Sequence, residues 1–207
     1  MANYSGPVCK LCRREQTKLF LKGDKCHTRC VLDKRPTKPG MAGVQRGKMS
    51  AYAVRLREKQ KLRRFVLMTE KPFRRWVDQA SKAANSGAEL LALLEMRLDN
   101  VVRRMGIASS LKTARQIVSH GHIKVNGRWL NIPSYRCRVG DVVAVDPKLK
   151  ENVGVKLSLE TAQRLNNRPN YMEFDPAALS AKVIRLPERS EISLPVSEQL
   201  IVEYYSR

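Results

Sequence analysis

Apolar residues recur along this chain in two rhythms, a helical one up to about residue 119 and an alternating one beyond it. Ser50 caps a predicted helix over 50–68 whose body lacks Gly and Pro. Its apolar stripe is thin: Val54, Leu62, Phe65 and Val66. Thr69 opens a second helix, with Phe73, Trp76, Val77, Ala80 and Ala84 on one face. Gly87 separates it from the strongest helical pattern, 88–105, where Leu90, Leu91, Leu94, Leu98, Val101, Val102 and Met105 form a stripe. Gly106 ends that helix as a left-handed cap. Ser109 caps a predicted helix over 110–119, with Leu111, Ala114 and Val118 inward, and Gly121 stops it.

The alternating part begins at once. His122 to Val125 reads as a strand, Asn126-Gly127 as a type I′ turn because both positions want positive φ, and Arg128 to Leu130 as the return strand. Tyr135 to Arg138 and Val142 to Val145 are further strands. The order helix, helix, hairpin, strand reads as a small α+β unit of about fifty residues. Beyond it the pattern predicts a short helix over 156–168, a helix start at Asp175-Pro176, a strand over 182–185 and, after Ser197, a final helix through Leu200, Ile201, Tyr204 and Tyr205, where the β-branched pair also permits a strand. Residues 1–48 hold many Gly and Pro and no lasting apolar period. Such a segment needs a staple or a partner to fold.

Charge changes this picture. The 207 residues are 43% hydrophobic, enough for a core, yet carry 40 Lys+Arg against 19 Asp+Glu, a net +21. A body this basic repels itself unless a polyanion neutralises it, which points to nucleic acid or an anionic membrane surface. No apolar stretch approaches the ~20 residues of a spanning helix. The N-terminal residues lack the apolar segment of a signal peptide, so a cytoplasmic location is expected. The first 150 residues carry the whole surplus, and residues 151–207 hold 7 basic and 8 acidic residues.

Within the predicted helix 50–68, Arg55, Arg57, Lys59, Lys61, Arg63 and Arg64 are opposed only by Glu58. The bland reading is a solvated face. Like charges at i,i+4 destabilise a helix, however, so phosphates are expected to supply the counter-charge. Arg97, Asn100 and Arg104 flank the apolar stripe of 88–105, and Lys112, Arg115 and Ser119 share one face of 110–119. Aromatic residues are only 6% and are not interleaved with the cations, which argues against a single-strand stacking platform.

Four of the five cysteines cluster as Cys9-x2-Cys12, thirteen residues, then Cys26-x3-Cys30. Two close pairs complete the tetrahedral four-sulfur shell that structural zinc prefers, and zinc binding would fold a segment without a core. An iron–sulfur cluster takes four thiols too, and two disulfides or unpaired thiols are the plainer alternatives, the disulfides opposed by a cytosolic location. His27 sits beside Cys26 and is a possible substitute ligand. Cys137 stands alone in a strand-like stretch and reads as a buried small residue.

The stretch Arg97-Leu98-Asp99-Asn100-Val101-Val102, the run Ala114 to Gly127 (ARQIVSHGHIKVNG), Tyr52 to Lys61 (YAVRLREKQK) and the ending Glu198 to Arg207 (EQLIVEYYSR) resemble the small-ribosomal-subunit protein family numbered four. The resemblance runs from about Cys9 to Arg207. It implies a mainly helical domain over 49–95, completed by 178–207, with a small α+β RNA-binding domain of two helices and a small antiparallel sheet inserted over 96–177. The four-cysteine zinc segment and basic extension occupy 1–48. It implies a structural constituent of the small subunit, not an enzyme, that binds ribosomal RNA at a multi-helix junction of the 5′ domain and nucleates assembly. It further implies neighbours three and five, a place where messenger RNA enters, and an influence on decoding accuracy.

On this reading the RNA-contacting candidates are Arg46, Lys48, Tyr52, Arg55, Arg57, Lys59, Lys61, Arg63 and Arg64 in the first part of the chain. In the α+β unit they are Arg97, Asn100, Arg104, Lys112, Arg115, Gln116, Ser119, His120, His122, Lys124, Asn126 and Arg128. Two other classes compete. An RNA-modifying enzyme would need a separate catalytic domain, and no Gly-rich phosphate loop or Ser/His/Asp set is evident. A zinc-ribbon regulator would prefer duplex DNA to junction RNA.

Overall fold

A computed structural model describes residues 4–40, 48–165, 168–192 and 194–206. In chain order it contains α1 (Val8–Glu15), α2 (Lys25–Thr28), α3 (Val31–Lys34), α4 (Ala51–Phe65), α5 (Glu70–Ala80), α6 (Ser86–Glu95), α7 (Leu98–Arg104) and α8 (Leu111–Ser119). There follow β1 (Ile123–Val125), β2 (Arg128–Trp129), β3 (Val142–Val145), α9 (Val153–Arg164), β4 (Met172–Asp175), β5 (Ser180–Val183) and α10 (Glu198–Tyr205). The fold is α+β. One unit comprises Met1–Leu90 with Leu194–Arg207, and Leu91–Ser193 forms the other.

The first unit is helical. Its N-terminal segment is more ordered than its composition predicts: α1 turns Val8 and Cys12 inward, and Leu19 and Leu21 are buried as well. Gln16 adopts a left-handed φ of 55° that ends α1. Its amide donates to the carbonyls of Arg13 at 2.6 Å and Pro36 at 2.7 Å, and Arg13 Nε donates to the Thr37 carbonyl at 2.9 Å. Ser50 caps α4 as predicted, its hydroxyl accepting the Ala53 N–H at 3.2 Å. Leu62, Phe65 and Val66 are buried, whereas Val54 is exposed. Phe73, Val77 and Ala80 of α5 face inward. The C-terminal helix α10 packs along α4 and buries Ile201 completely. Gly87 lies inside the first turn of α6 and does not separate two helices. A Cβ there would come within 2.7 Å of Glu198 Cγ, so the close approach of α10 explains the glycine.

The second unit departs from the sequence reading in several places. The helix expected over 88–105 is two helices, because the backbone at Arg97 turns extended (φ −71°, ψ 141°). There Met96 O accepts from Cys137 N–H, and the N–H groups of Leu98 and Asp99 go to the carbonyls of Tyr135 and Pro133. The segment 133–137 thus takes over the hydrogen bonds that a continuous helix would make internally. The strand expected over Tyr135 to Arg138 reduces to one bridge, Arg97 to Arg136. Asp175-Pro176 starts no helix: Asp175 closes β4 and its carboxylate accepts the N–H groups of Ala177 and Ala178. Finally, β5 lies in the sheet, so the return to the helical unit comes at Leu194 and not at 178. Earlier in the unit, α8 is capped by Ser110, one residue later than expected.

The sheet is antiparallel throughout, in the order β2-β1-β3-β5-β4. Asn126 and Gly127 have φ of 50° and 79°, which gives the predicted turn. Ile123, Val125, Val143, Val145, Ala181 and Val183 point into a core shared with Val101, Val102, Met105, Ala114 and Val118. Each Val, Ile or Met side chain among them contributes about 1.5–3 kcal/mol when fully buried. The alternate positions Lys124, Trp129, Val142, Ala144 and Lys182 face outward.

Candidate nucleic-acid interface

In the helical unit, the six cations of α4 find carboxylates within the unit. Arg55 Nε lies 2.6 Å from Glu203, Lys59 2.7 Å from Glu70, Lys61 2.5 Å from Glu58 and Arg63 3.4 Å from Glu70. Arg57 and Arg64 converge on the buried Glu15, the former at 3.2 Å. Phosphates are therefore not the only counter-charge, which corrects the expectation drawn from the linear run. Glu58 lies on α4 itself, three residues before Lys61, but Glu15, Glu70 and Glu203 come from α1, α5 and α10, and no helical spacing reveals those.

These pairs differ in character. Burial alone would raise the Glu70 carboxyl, but hydrogen bonds from Lys59 and Tyr205 and the charges of Lys59 and Arg63 hold it below the usual carboxylate range. Burial dominates at Glu15 and raises its carboxyl despite Arg64 and Arg57, while burial lowers Arg64. Desolvation thus opposes charge on both partners of that pair. Lys59 is buried, and its ammonium sits 4.6 Å from the Tyr204 ring centroid. It belongs to the interior and not to an exposed arm. Tyr52 and Lys48 are exposed, and the Tyr52 hydroxyl shares a hydrogen bond with Tyr204 at 3.5 Å. Arg46 lies outside the described residues.

In the α+β unit, the predicted flank of Arg97, Asn100 and Arg104 is buried. Arg97 donates through Nε and Nη2 to both Asp99 oxygens, at 3.1 and 2.9 Å, and Arg115 Nε donates to Asp99 Oδ2 at 2.6 Å. Glu95 accepts from Arg104, from Asn100 Nδ2 at 2.6 Å and from the Tyr171 hydroxyl at 3.2 Å. Burial works against the Arg104 charge, but Glu95 overcomes it and raises the guanidinium further. The expectation of an RNA-facing row along this helix is corrected for these three residues. The break at Arg97 turns them onto interior carboxylates.

What remains outward is a compact polar surface. Gln116, Ser119, His120, Asn126 and Arg128 are exposed, and Lys112, Arg115, His122 and Lys124 are half-buried. Asn126 also has a structural role: its amide donates to Asp141 at 2.8 Å and its carbonyl oxygen accepts the Val142 N–H at 2.9 Å. His122 Nδ1 lies 3.6 Å from Asp146. Sequence reasoning missed Trp129 and Lys182 on the outer sheet face. The signal for Trp129 was present, because a two-residue turn at Asn126-Gly127 sets Lys124 opposite Trp129.

The four N-terminal cysteines are free thiols, with Cys12 buried and Cys9, Cys26 and Cys30 half-buried. Burial raises Cys12 most, the Leu19 N–H lowers it, and Cys26, Cys9 and Cys30 each raise it further. Cys26 accepts the Lys22 N–H at 3.3 Å. The sulfurs are thus electrostatic neighbours, and two of them accept backbone N–H groups. Among the described residues, no group of three or more His, Cys, Asp or Glu side chains converges as metal ligands. The His27 ring stacks on Phe20 at 4.9 Å between centroids. Cys137 is buried in the second unit, and burial pushes its thiol up to about 12.

Two family models match the chain: "Ribosomal protein S4/S9 N-terminal domain" over residues 3–95 and "S4 domain" over residues 96–143. A Symbiobacterium thermophilum protein named small ribosomal subunit protein uS4A is 53% identical over 209 residues, covering 100% of both chains. A Thermus thermophilus protein named small ribosomal subunit protein uS4 is 48% identical over 210 residues, and a Kosmotoga olearia protein of that name 49% over 209 residues, each covering 100% of both chains.

Proposed function

Because this chain belongs to the small ribosomal subunit protein uS4 family, we propose that it is a non-catalytic structural constituent of the cytoplasmic small ribosomal subunit and binds the subunit's RNA. The observation that carries this reading is the surface left around α8 and the β1–β2 hairpin. There Lys112, Gln116, Ser119, His120, Lys124 and Arg128 remain outward after the arginines behind them have taken interior carboxylates. RNA helices offer phosphates and 2′-hydroxyls more readily than base edges, and this set of short polar groups and cations suits both.

The finer reading follows the family. The chain grips a multi-helix junction of the 5′ domain, binds early enough to nucleate assembly, touches neighbours three and five where messenger RNA enters, and so influences decoding accuracy. We also propose that Cys9, Cys12, Cys26 and Cys30 hold one structural zinc. Their paired spacing and the N–H donors at Cys12 and Cys26 support it. A bound zinc supplies a four-sulfur cross-link and no chemistry.

The test is a salt titration of the full chain on a transcript of small-subunit ribosomal RNA, with duplex DNA as competitor. The expected log–log slope is at least about 6, since each neutralised phosphate adds ~0.7–0.9. A slope near 1, or displacement by equal amounts of duplex DNA, removes the reading.

A further inference from the structure

Trp129 is out of keeping with its position. It lies on a two-residue edge strand, 53% exposed, on the outward face of a sheet whose other face is a full apolar core. Single exposed apolar residues are ordinary on a protein surface. The surroundings of this one are not. Register places Lys124 directly opposite, and the Lys124 ammonium sits 4.3 Å from the indole centroid. That cation–π contact fixes one side of the ring and leaves the exposed part of the indole toward solvent. Ala144, the next residue across the sheet, is small and does not shield it. Arg128 is the exposed residue just before Trp129, while Lys182 lies farther off on the same outward face, on the third strand over from β2 and opposite Glu173.

An aromatic plane held beside an ammonium group fits a nucleotide: the ring takes the base face and the cation takes a flanking phosphate. An apolar protein partner would have to desolvate Lys124 without a matching acid, so charge complementarity favours nucleic acid. We propose that Trp129 stacks on an unpaired base of the bound RNA, with Lys124 at the adjoining phosphate. This rests on the RNA-binding reading above and makes it local. The binding surface then includes one base-stacking contact within an otherwise backbone-directed interface, in contrast to the aromatic-poor reading of the sequence.

The test titrates the full chain, Trp129→Phe, Trp129→Ala and Lys124→Gln with the small-subunit ribosomal RNA transcript, reading both affinity and tryptophan emission. Circular dichroism and the urea midpoint serve as fold controls, and the exposure of Trp129 predicts that neither moves. The native chain should show emission quenched by RNA beyond the change that Trp76 alone gives in Trp129→Phe. Trp129→Ala should bind about tenfold more weakly and Trp129→Phe about twofold. Lys124→Gln should lower the salt slope by about 1. If Trp129→Ala binds within twofold of the native chain, or the quench survives in Trp129→Phe, stacking is overturned while RNA binding stands. The same holds if Trp129→Ala binds free RNA normally and is lost only from assembled subunits, which assigns the indole to a protein neighbour. Failure of the folded native chain to bind the transcript removes the RNA reading itself.

Discussion

Glu95 accepts from Arg104, Asn100 and Tyr171, and its side chain is almost wholly enclosed. Removing it leaves a guanidinium without a charge partner in the interior. Glu95→Ala should therefore destabilise the Leu91–Ser193 unit by about 3–5 kcal/mol, seen as a lower urea midpoint at unchanged slope. An unshifted midpoint would show that Arg104 reaches water or another acceptor. Arg115 is a milder case, because Asp99 keeps Arg97 when Arg115 is removed. At this scale the sequence was legible in type and not in direction. The spacing of Arg97, Asn100 and Arg104 marked a shared flank. Whether that flank met solvent or carboxylate depended on a backbone turn at Arg97 that helical periodicity cannot show. Lys59 is a similar case, a cation in a basic run that a tyrosine pair and Glu70 enclose.

At the level of elements, α10 docks through one fully buried aliphatic residue, Ile201, and a set of polar contacts. Glu70 stands at their centre, accepting from Lys59 at 2.7 Å and from the Tyr205 hydroxyl at 2.7 Å. Its carboxyl lies below the ordinary 4.5, so its contribution is complete above that value and is lost as pH falls through the lower folded one. Amide exchange over 198–205 should accelerate selectively in that acid window, while amides of the sheet hold. Glu70→Gln should speed exchange at neutral pH and abolish the acid step. An acid step persisting in Glu70→Gln would assign the effect to another carboxyl, Glu203 first. The helices α4, α5, α8 and α10 and the β1–β2 hairpin were readable from apolar spacing and turn residues, with the Ser50 hydroxyl bearing out its cap at α4, whereas Thr69 and Ser197 make no side-chain cap bond. β4 was not: Met172 to Asp175 is short and half polar, and Asp-Pro is a helix-start signal that the Asp175 turn uses differently.

For the whole molecule, the net +21 is the surplus that remains after a dense set of internal ion pairs, and it makes a polyanionic partner a condition of crowding so many cations together. The cysteine segment adds a second condition. Chain purified from zinc-replete cells should carry one zinc per molecule by elemental analysis. Stripping it with a chelator should expose residues 8–34 to protease and leave the unit Leu91–Ser193 protected. Identical cleavage with and without metal would remove zinc from the account. A chain whose first residues lie with its last has a further consequence for its birth. The segment Leu91–Ser193 is continuous and holds every strand of its sheet. The amino-terminal unit must wait for Ile201, which is made after that whole segment, so the unit begun first is completed after the one begun second.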